Sequence, residues 1–261
     1  MGELCQDTYK ASRGTGRGNF IVIDRTLNYG RQIIKGFLER SRPYEKVLDI
    51  GAGKGDDLEI AREVIPGAEL LALECFKPNI ERLKRKDVRV FEVNIERQRF
   101  PFEDEGIDVI MANQILEHTK ELFWIFHEVS RILKQKGKLI IGVPNLASLH
   151  NRILLLLGIQ PSPIKSYSAH VRGFTKGDLL RFFNIWGGYR LVDFKGSNFY
   201  PFPPVIARSL ARLFPSMSWG IFLLLEKVGP YDGSFIKYPE EEGLETNFYL
   251  GEDTGKNKER S

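Results

Sequence analysis

At 261 residues, 42% hydrophobic and 28% charged, the chain has the composition of a globular protein able to bury one full core. Its formal net charge of +4 comes without a dense Lys/Arg block, so nothing in it points to nucleic acid. Two cysteines, Cys5 and Cys75, make neither a disulfide framework nor a CxxC metal pattern, residues 1–20 lack the apolar core of a signal peptide, and the apolar runs at 153–157 and 221–225 are far short of the ~20 residues that span a bilayer; the expected setting is cytoplasmic.

Residues 1–23 are polar and glycine-containing and read as a flexible segment, with Arg13-Gly14-Thr15-Gly16-Arg17-Gly18 as part of that tail. Asp24 is placed to cap a helix over 25–40, whose Leu27, Ile33, Ile34, Phe37 and Leu38 share a face. Val47 to Ile50 reads as a buried strand, and Gly51, Gly53 and Gly55 as the bend after it. Asp56 or Asp57 is placed to cap the next helix, which runs through Val64 to Pro66-Gly67. Strands over 69–74, 88–93, 106–112 and 137–143 then alternate with helices over 78–86 and 119–133. Repeated βα units imply a parallel sheet covered on both faces.

Past Pro144 the alternation loosens: a helix is expected over 146–157, a Thr175-capped helix over 176–183, a strand from Tyr189 to Phe194, a helix ending at Leu213, and a last strand over 219–228. From Tyr231 the chain is charged, with an acidic excess and no apolar periodicity, so 231–261 reads as a solvated tail.

Strand, glycine loop and helix make a nucleotide-type site, and spacing separates the candidates. A P-loop needs Ser or Thr after Gly53-Lys54, where this chain has Gly55; a dinucleotide GxGxxG needs glycine at 56, where an aspartate would face a pyrophosphate. The remaining pattern, Asp49-Ile50-Gly51-Ala52-Gly53-Lys54-Gly55, resembles motif I of class I S-adenosylmethionine-dependent methyltransferases. Glu74 closing the second strand, Asn94-Ile95 after the third, Phe100-Pro101-Phe102-Glu103-Asp104, Asp108 opening the fourth and Val129 to Gly137 before the fifth fit the same family over about residues 40–145. His170 to Thr175 extends the likeness toward small-molecule methyltransferases, and Pro144 to Gly158 is similar to methyltransferase-like proteins of methionine biosynthesis.

The resemblance implies an α/β fold, a Rossmann-like doubly wound seven-stranded sheet, mostly parallel with an antiparallel last strand. It implies S-adenosyl-L-methionine as cofactor, held by Asp49, Gly51, Ala52, Gly53 and Gly55, by Glu74 and Cys75 beside the ribose, by Asn94 and Ile95 beside the adenine, and by Asn113 at the tip of strand four. Residues 24–230 would form the domain, with 145–175 and 198–216 as the acceptor-side cap.

Methyl transfer is an in-line displacement in which alignment supplies much of the effect, and a protein base is needed only for an acceptor that arrives protonated. His118, in Asn113-Gln114-Ile115-Leu116-Glu117-His118, is the first candidate base, with a structural histidine at a helix start as the alternative; His170 is the second. His127 reads as packing. Some relatives hold a divalent metal with Glu-x-x-Glu-His; here Gln114 replaces the first carboxylate, and no metal is expected. The aromatic and aliphatic content of the cap suits a small organic, lipid-linked or sugar-linked acceptor, methylated at oxygen. Arg208, Arg212 and their apolar neighbours are compatible with a membrane-facing amphipathic helix. The alternative is a non-catalytic methyltransferase-fold subunit that regulates a partner; an RNA methyltransferase is disfavoured by the missing basic tract.

Overall fold

The structure, a computed structural model, describes residues 30–245 and 248–251. The expected flexible segment 1–23 and the expected cap Asp24 lie outside the described residues; the helix expected over 25–40 begins at Arg31, because Gly30 precedes it in the left-handed conformation at φ 62. The chain runs α1 (Arg31–Arg40), β1 (Lys46–Ile50), α2 (Asp56–Val64), β2 (Glu69–Glu74), α3 (Lys77–Lys84), β3 (Arg89–Glu92), β4 (Ile107–Asn113), α4 (Leu122–Ile132), β5 (Leu133–Pro144), α5 (Leu149–Leu156), α6 (Lys176–Phe183), β6 (Tyr189–Ser197), α7 (Pro204–Leu213), β7 (Gly220–Lys227) and α8 (Ser234–Glu241).

The seven strands form one sheet in the order β3-β2-β1-β4-β5-β7-β6. β1 to β5 pair in parallel, and β7 lies antiparallel between β5 and β6, as the family resemblance implied. Period-two alternation divides the strands between two cores. Leu48, Ile50, Leu71 and Leu73 face α4, α6 and α8, while Val47, Leu70 and Ala72 face α1 and α2. Buried on both faces, these strands read as continuous apolar runs, which is why they are legible in the sequence.

Several boundaries differ from expectation for local reasons. Gly55, at φ 77, is the residue preceding α2, so Asp56 and Asp57 occupy its first turn instead of capping it. α5 begins later than expected, at Leu149, because Ser148 caps it by accepting the Asn151 N–H. Thr175 caps α6 as read, through the Asp178 N–H.

The tail expected over 231–261 is corrected for its described residues, 231–245 and 248–251. Ser234 to Glu241 is a helix packed on α4, and Phe235 is fully buried between the aromatic rings of Phe126, Phe182 and Tyr231. Phe248 and Tyr249 also meet Phe123 and Trp124 of α4 edge to face. Tyr231, Phe235, Tyr238, Phe248 and Tyr249, spaced irregularly among acids, leave no periodic signal, yet they close this face of the domain.

Candidate active site

The carboxyl ends of β1, β2, β4 and β5 meet at one edge of the sheet, where open α/β sheets bind ligands. The loop after β1 turns through Gly51, Gly53 and Gly55 at φ 68, 54 and 77. A Cβ on Gly51 would lie 2.6 Å from Ile115, and one on Gly55 2.6 Å from Leu83. On Gly53 it would meet nothing closer than a backbone oxygen at 4.0 Å, so that face of the loop is open.

Acids surround the loop. Glu74, buried at the tip of β2, accepts from the N–H groups of Gly53, Cys75 and Phe76, each at 2.9 Å, and from Asn79 Nδ2 at 3.2 Å. Asp49 is buried beneath the loop, and burial, then the charges of Asp57 and Glu74, push its carboxyl well above the usual range. Asp57 is raised too, mainly by burial, although the Asn113 amide and the Arg31 guanidinium oppose the shift. Asn113 Nδ2 donates to Asp57 Oδ2 at 2.8 Å, while Arg31 pairs with Asp56 at 2.6 Å and approaches Asp57 at 3.6 Å. Two buried acceptors, Asp57 Oδ1 and Asn113 Oδ1, have no hydrogen-bond partner. Three carboxyls and two orphaned acceptors around an open glycine loop suit a cationic ligand group and oppose a pyrophosphate.

Of the residues expected to line the cofactor, Asp49, Gly51, Ala52, Gly53, Gly55, Glu74 and Asn113 converge here. Cys75 follows Glu74 and is half-buried. Asn94 and Ile95 follow β3; Asn94 is exposed and its Oδ1 accepts the Glu96 N–H at 3.0 Å, which commits one of its lone pairs to a local turn. The sequence reading missed Asp57 and Arg31 as members of the site. Two adjacent aspartates immediately after Gly55 were a signal for the first; Arg31, twenty residues upstream of the loop, left none.

The tip of β4 leads into a 3₁₀ turn, Leu116–His118. The segment ahead of α6 is pinned over it: Val171 N–H donates to Glu117 O at 2.8 Å, and Arg172 donates to the carbonyls of Thr119 and Lys120. That clamp brings His170 to His118, their rings 4.7 Å apart at 78°. Each histidine holds a backbone carbonyl with Nδ1, His118 that of Ala169 at 3.2 Å and His170 that of Pro163 at 2.7 Å, which leaves both Nε2 atoms as acceptors. Burial, then the neighbouring His170, lowers the His118 pKa, so its imidazole is neutral at pH 7.

Glu117 lies between backbone and core, 2% exposed, with Oε2 lacking a partner, and burial pushes its carboxyl up to about 7. Ligand-type atoms of Glu117, His118 and His170 all lie within 4.8 Å of one another, a donor set able to hold a divalent ion. Sequence spacing offered only Glu117 and His118. His127 hydrogen-bonds Tyr231 and stacks on Trp124, a packing role, and His150 sits against Tyr200 and Trp219.

Residues 48–141 match the family profile described as a methyltransferase domain. Among curated proteins, the chain is 28% identical over 135 residues to a ubiquinone biosynthesis O-methyltransferase of Pelagibacter ubique, covering 49% of this chain and 55% of that one. It is 26% identical over 130 residues to a demethylmenaquinone methyltransferase of Thermotoga maritima, covering 46% and 54%. An uncharacterised transposon protein of Streptomyces fradiae is 29% identical over 42% of this chain and 33% of its own length. The chain thus spans from a third to about half of these relatives. The fold is shared with an S-adenosylmethionine-dependent methyltransferase of Archaeoglobus fulgidus, with TM-score 0.53, 19% identity and 80% and 100% coverage. It is shared also with 1,6-didemethyltoxoflavin-N1-methyltransferase of Burkholderia thailandensis, solved with S-adenosylhomocysteine, with TM-score 0.53, 15% identity and 79% and 80% coverage.

Proposed function

We propose that this chain, which carries a class I S-adenosylmethionine-dependent methyltransferase domain, binds S-adenosylmethionine on its glycine loop and methylates a small organic, lipid-linked or sugar-linked acceptor at oxygen. The observation that carries this reading is the trio Asp49, Asp57 and Glu74 around a loop whose Gly53 face is open. The cofactor is cationic at its sulfonium and its ammonium, and it supplies an electrophilic methyl group when bound. Carboxyl oxygens around the loop accept from the ammonium, and a bound cation favours their charged form.

Within that reading the backbone of Gly51 to Gly55 gives the ligand its floor, and Asp57 with Asn113 offers buried acceptors to its cation. Glu74 takes the ribose hydroxyls, for which the 3.2 Å contact from Asn79 is the most readily exchanged of its present partners. Ala52, Cys75, Asn94 and Ile95 form the walls on the adenosine side. Enclosure of this edge by the 165–174 segment supplies water exclusion and alignment.

His118 is the base for a hydroxyl acceptor. Its Nδ1–H is fixed by the Ala169 carbonyl, leaving Nε2 as the proton acceptor at the site edge, and its neutral state at pH 7 leaves that lone pair available. His170, beside it, takes the second position in the same proton path. The name of one curated relative as a ubiquinone biosynthesis O-methyltransferase supports an oxygen acceptor, and both quinone-pathway relatives support a small organic one. The deciding experiment is incubation with methyl-labelled S-adenosylmethionine and fractionated cell extract. Label in a nuclease-resistant small molecule or lipid is expected; tight cofactor binding with no acceptor-dependent label would favour the non-catalytic subunit.

A further inference from the structure

A cavity of about 1090 Å³ lies between α1, the second half of β6, the Tyr200–Pro204 segment and α7. It exceeds the ~300–1,000 Å³ usual for small-molecule sites and is separate from the glycine loop, although Arg31 borders both. Phe37, Phe194, Pro201, Phe202, Ala207 and Ala211 give it an apolar interior. Its charged rim is one-sided: Arg31, Arg40, Lys195, Arg208 and Arg212 face a single acid, Asp193. Asp193 already pairs with Arg40 and Lys195. Among the described residues, Arg208 and Arg212, one turn apart on α7, meet no acid.

The surroundings are apolar as well. On α7 and just beyond it, Val205 is 82% exposed, Leu213 71% and Phe214 51%. α5 adjoins this surface, because Leu149 packs with Phe199, Ala207 and Ala211, and it exposes Leu155 and Leu156, with Leu157 exposed just past its end. An exposed aliphatic face of this extent, rimmed by unpaired arginines, matches a bilayer surface with anionic headgroups.

We infer that this cavity binds an amphiphile drawn from a membrane, its acyl or isoprenoid chain between α1 and α7 and its phosphate on Arg208 and Arg212. Two unpaired guanidiniums at i and i+4 present parallel donors to a phosphate, and the apolar interior accepts the chain. The Phe222 ring links this cavity to the tip of β4: a Cβ on Gly30, a cavity residue, would lie 2.2 Å from it, and one on Gly142, beside Asn113, 2.5 Å. A chain seated here ends close to the methyl-transfer edge. The ligand's identity as the methyl acceptor rests on the function proposed above; its binding does not.

The test is calorimetry with the full chain and dodecyl phosphate below its micellar concentration, without S-adenosylmethionine. One saturable site is expected, with dodecyltrimethylammonium at least about tenfold weaker and inorganic phosphate alone not retained. Gly36→Leu fills the cavity from α1, where an added Cβ meets nothing within 4 Å, and leucine favours the helix. It should fold and weaken dodecyl phosphate by about tenfold or more, as should the surface pair Arg208→Glu/Arg212→Glu. Unchanged binding by folded Gly36→Leu, equal binding of the cationic amphiphile, or binding that emerges only on deletion of residues 1–29 would overturn the inference, the last by making the chain's own N-terminal segment the occupant. Binding without labelled product from membrane lipid in the presence of S-adenosylmethionine would retain the site and remove the acceptor reading.

Discussion

Gly53→Ala separates the glycine loop's structural role from its role in binding. Gly53 sits at φ 54, where an L-residue costs about 1–2 kcal/mol, and its Cβ would point into space that no protein atom within 4.0 Å contests. For a chain of this size each kcal/mol lowers the melting midpoint by roughly 2–4 °C, so a fall of about 2–8 °C is expected. Gly187→Ala provides the control. At φ 75, with nothing near its Cβ, it carries the same backbone cost at the opposite edge of the sheet, beside the start of β6. Both variants should therefore lose similar stability by scanning fluorimetry. Only Gly53→Ala should lose affinity for S-adenosylmethionine by calorimetry, by at least about tenfold, or about 1.4 kcal/mol, and Gly53→Val should abolish it. Affinity within about twofold of the parent in folded Gly53→Ala would refute the placement of the ligand on this loop.

His118→Ala should slow turnover by about 10²-fold or more with cofactor affinity retained, and full activity would remove it as a base. Dialysis against EDTA is expected to leave turnover unchanged; a loss restored by Mn²⁺, and not restored in Glu117→Ala, would reassign Glu117, His118 and His170 as a metal site. Asp49 carries a raised carboxyl pKa because it is buried and lies near Asp57 and Glu74. Its proton therefore stabilises the fold fully below the unfolded range near 4, and that contribution fades as pH rises toward the folded value. Asp49→Asn should thus flatten the decline of the ligand-free midpoint as pH rises above about 4, measured by thermal melts; an unchanged slope would contradict the assignment. Phe235→Ala should cost about 3–5 kcal/mol in denaturant titration, whereas a change under about 1 kcal/mol would mean that α8 does not close the α4 face.

Most of the sheet was legible because strands buried on both faces carry uninterrupted aliphatic runs, and because glycines punctuate the turn after β1. The Asp49 to Gly55 spacing set aside a P-loop and a dinucleotide loop, and with Glu74 at the end of β2 it carried the resemblance to one methyltransferase family without any knowledge of packing. Local chemistry of that kind survives in sequence because its residues are neighbours along the chain or lie at fixed offsets. What failed to show were partnerships across distance. Asp57 meets Asn113 over 56 residues, Arg31 reaches Asp56 over 25, and α8 packs on α4 through aromatics with no period.

The histidine pair shows the division most clearly. Sequence placed His118 at the tip of β4 and His170 ahead of α6, with no relation between them. Only the backbone bonds of Val171 and Arg172 to the Glu117–Lys120 segment bring their rings within 4.7 Å beside a buried, unpartnered carboxylate oxygen. The cavity between α1 and α7 has the same origin, since those walls, at Arg31–Arg40 and Pro204–Leu213, lie far apart in the chain and their complementarity is a property of the folded surface. Sequence carried the resemblance to one cofactor-binding family because a short loop holds it; tertiary structure decided the arrangement above that loop, because long-range contacts assemble it.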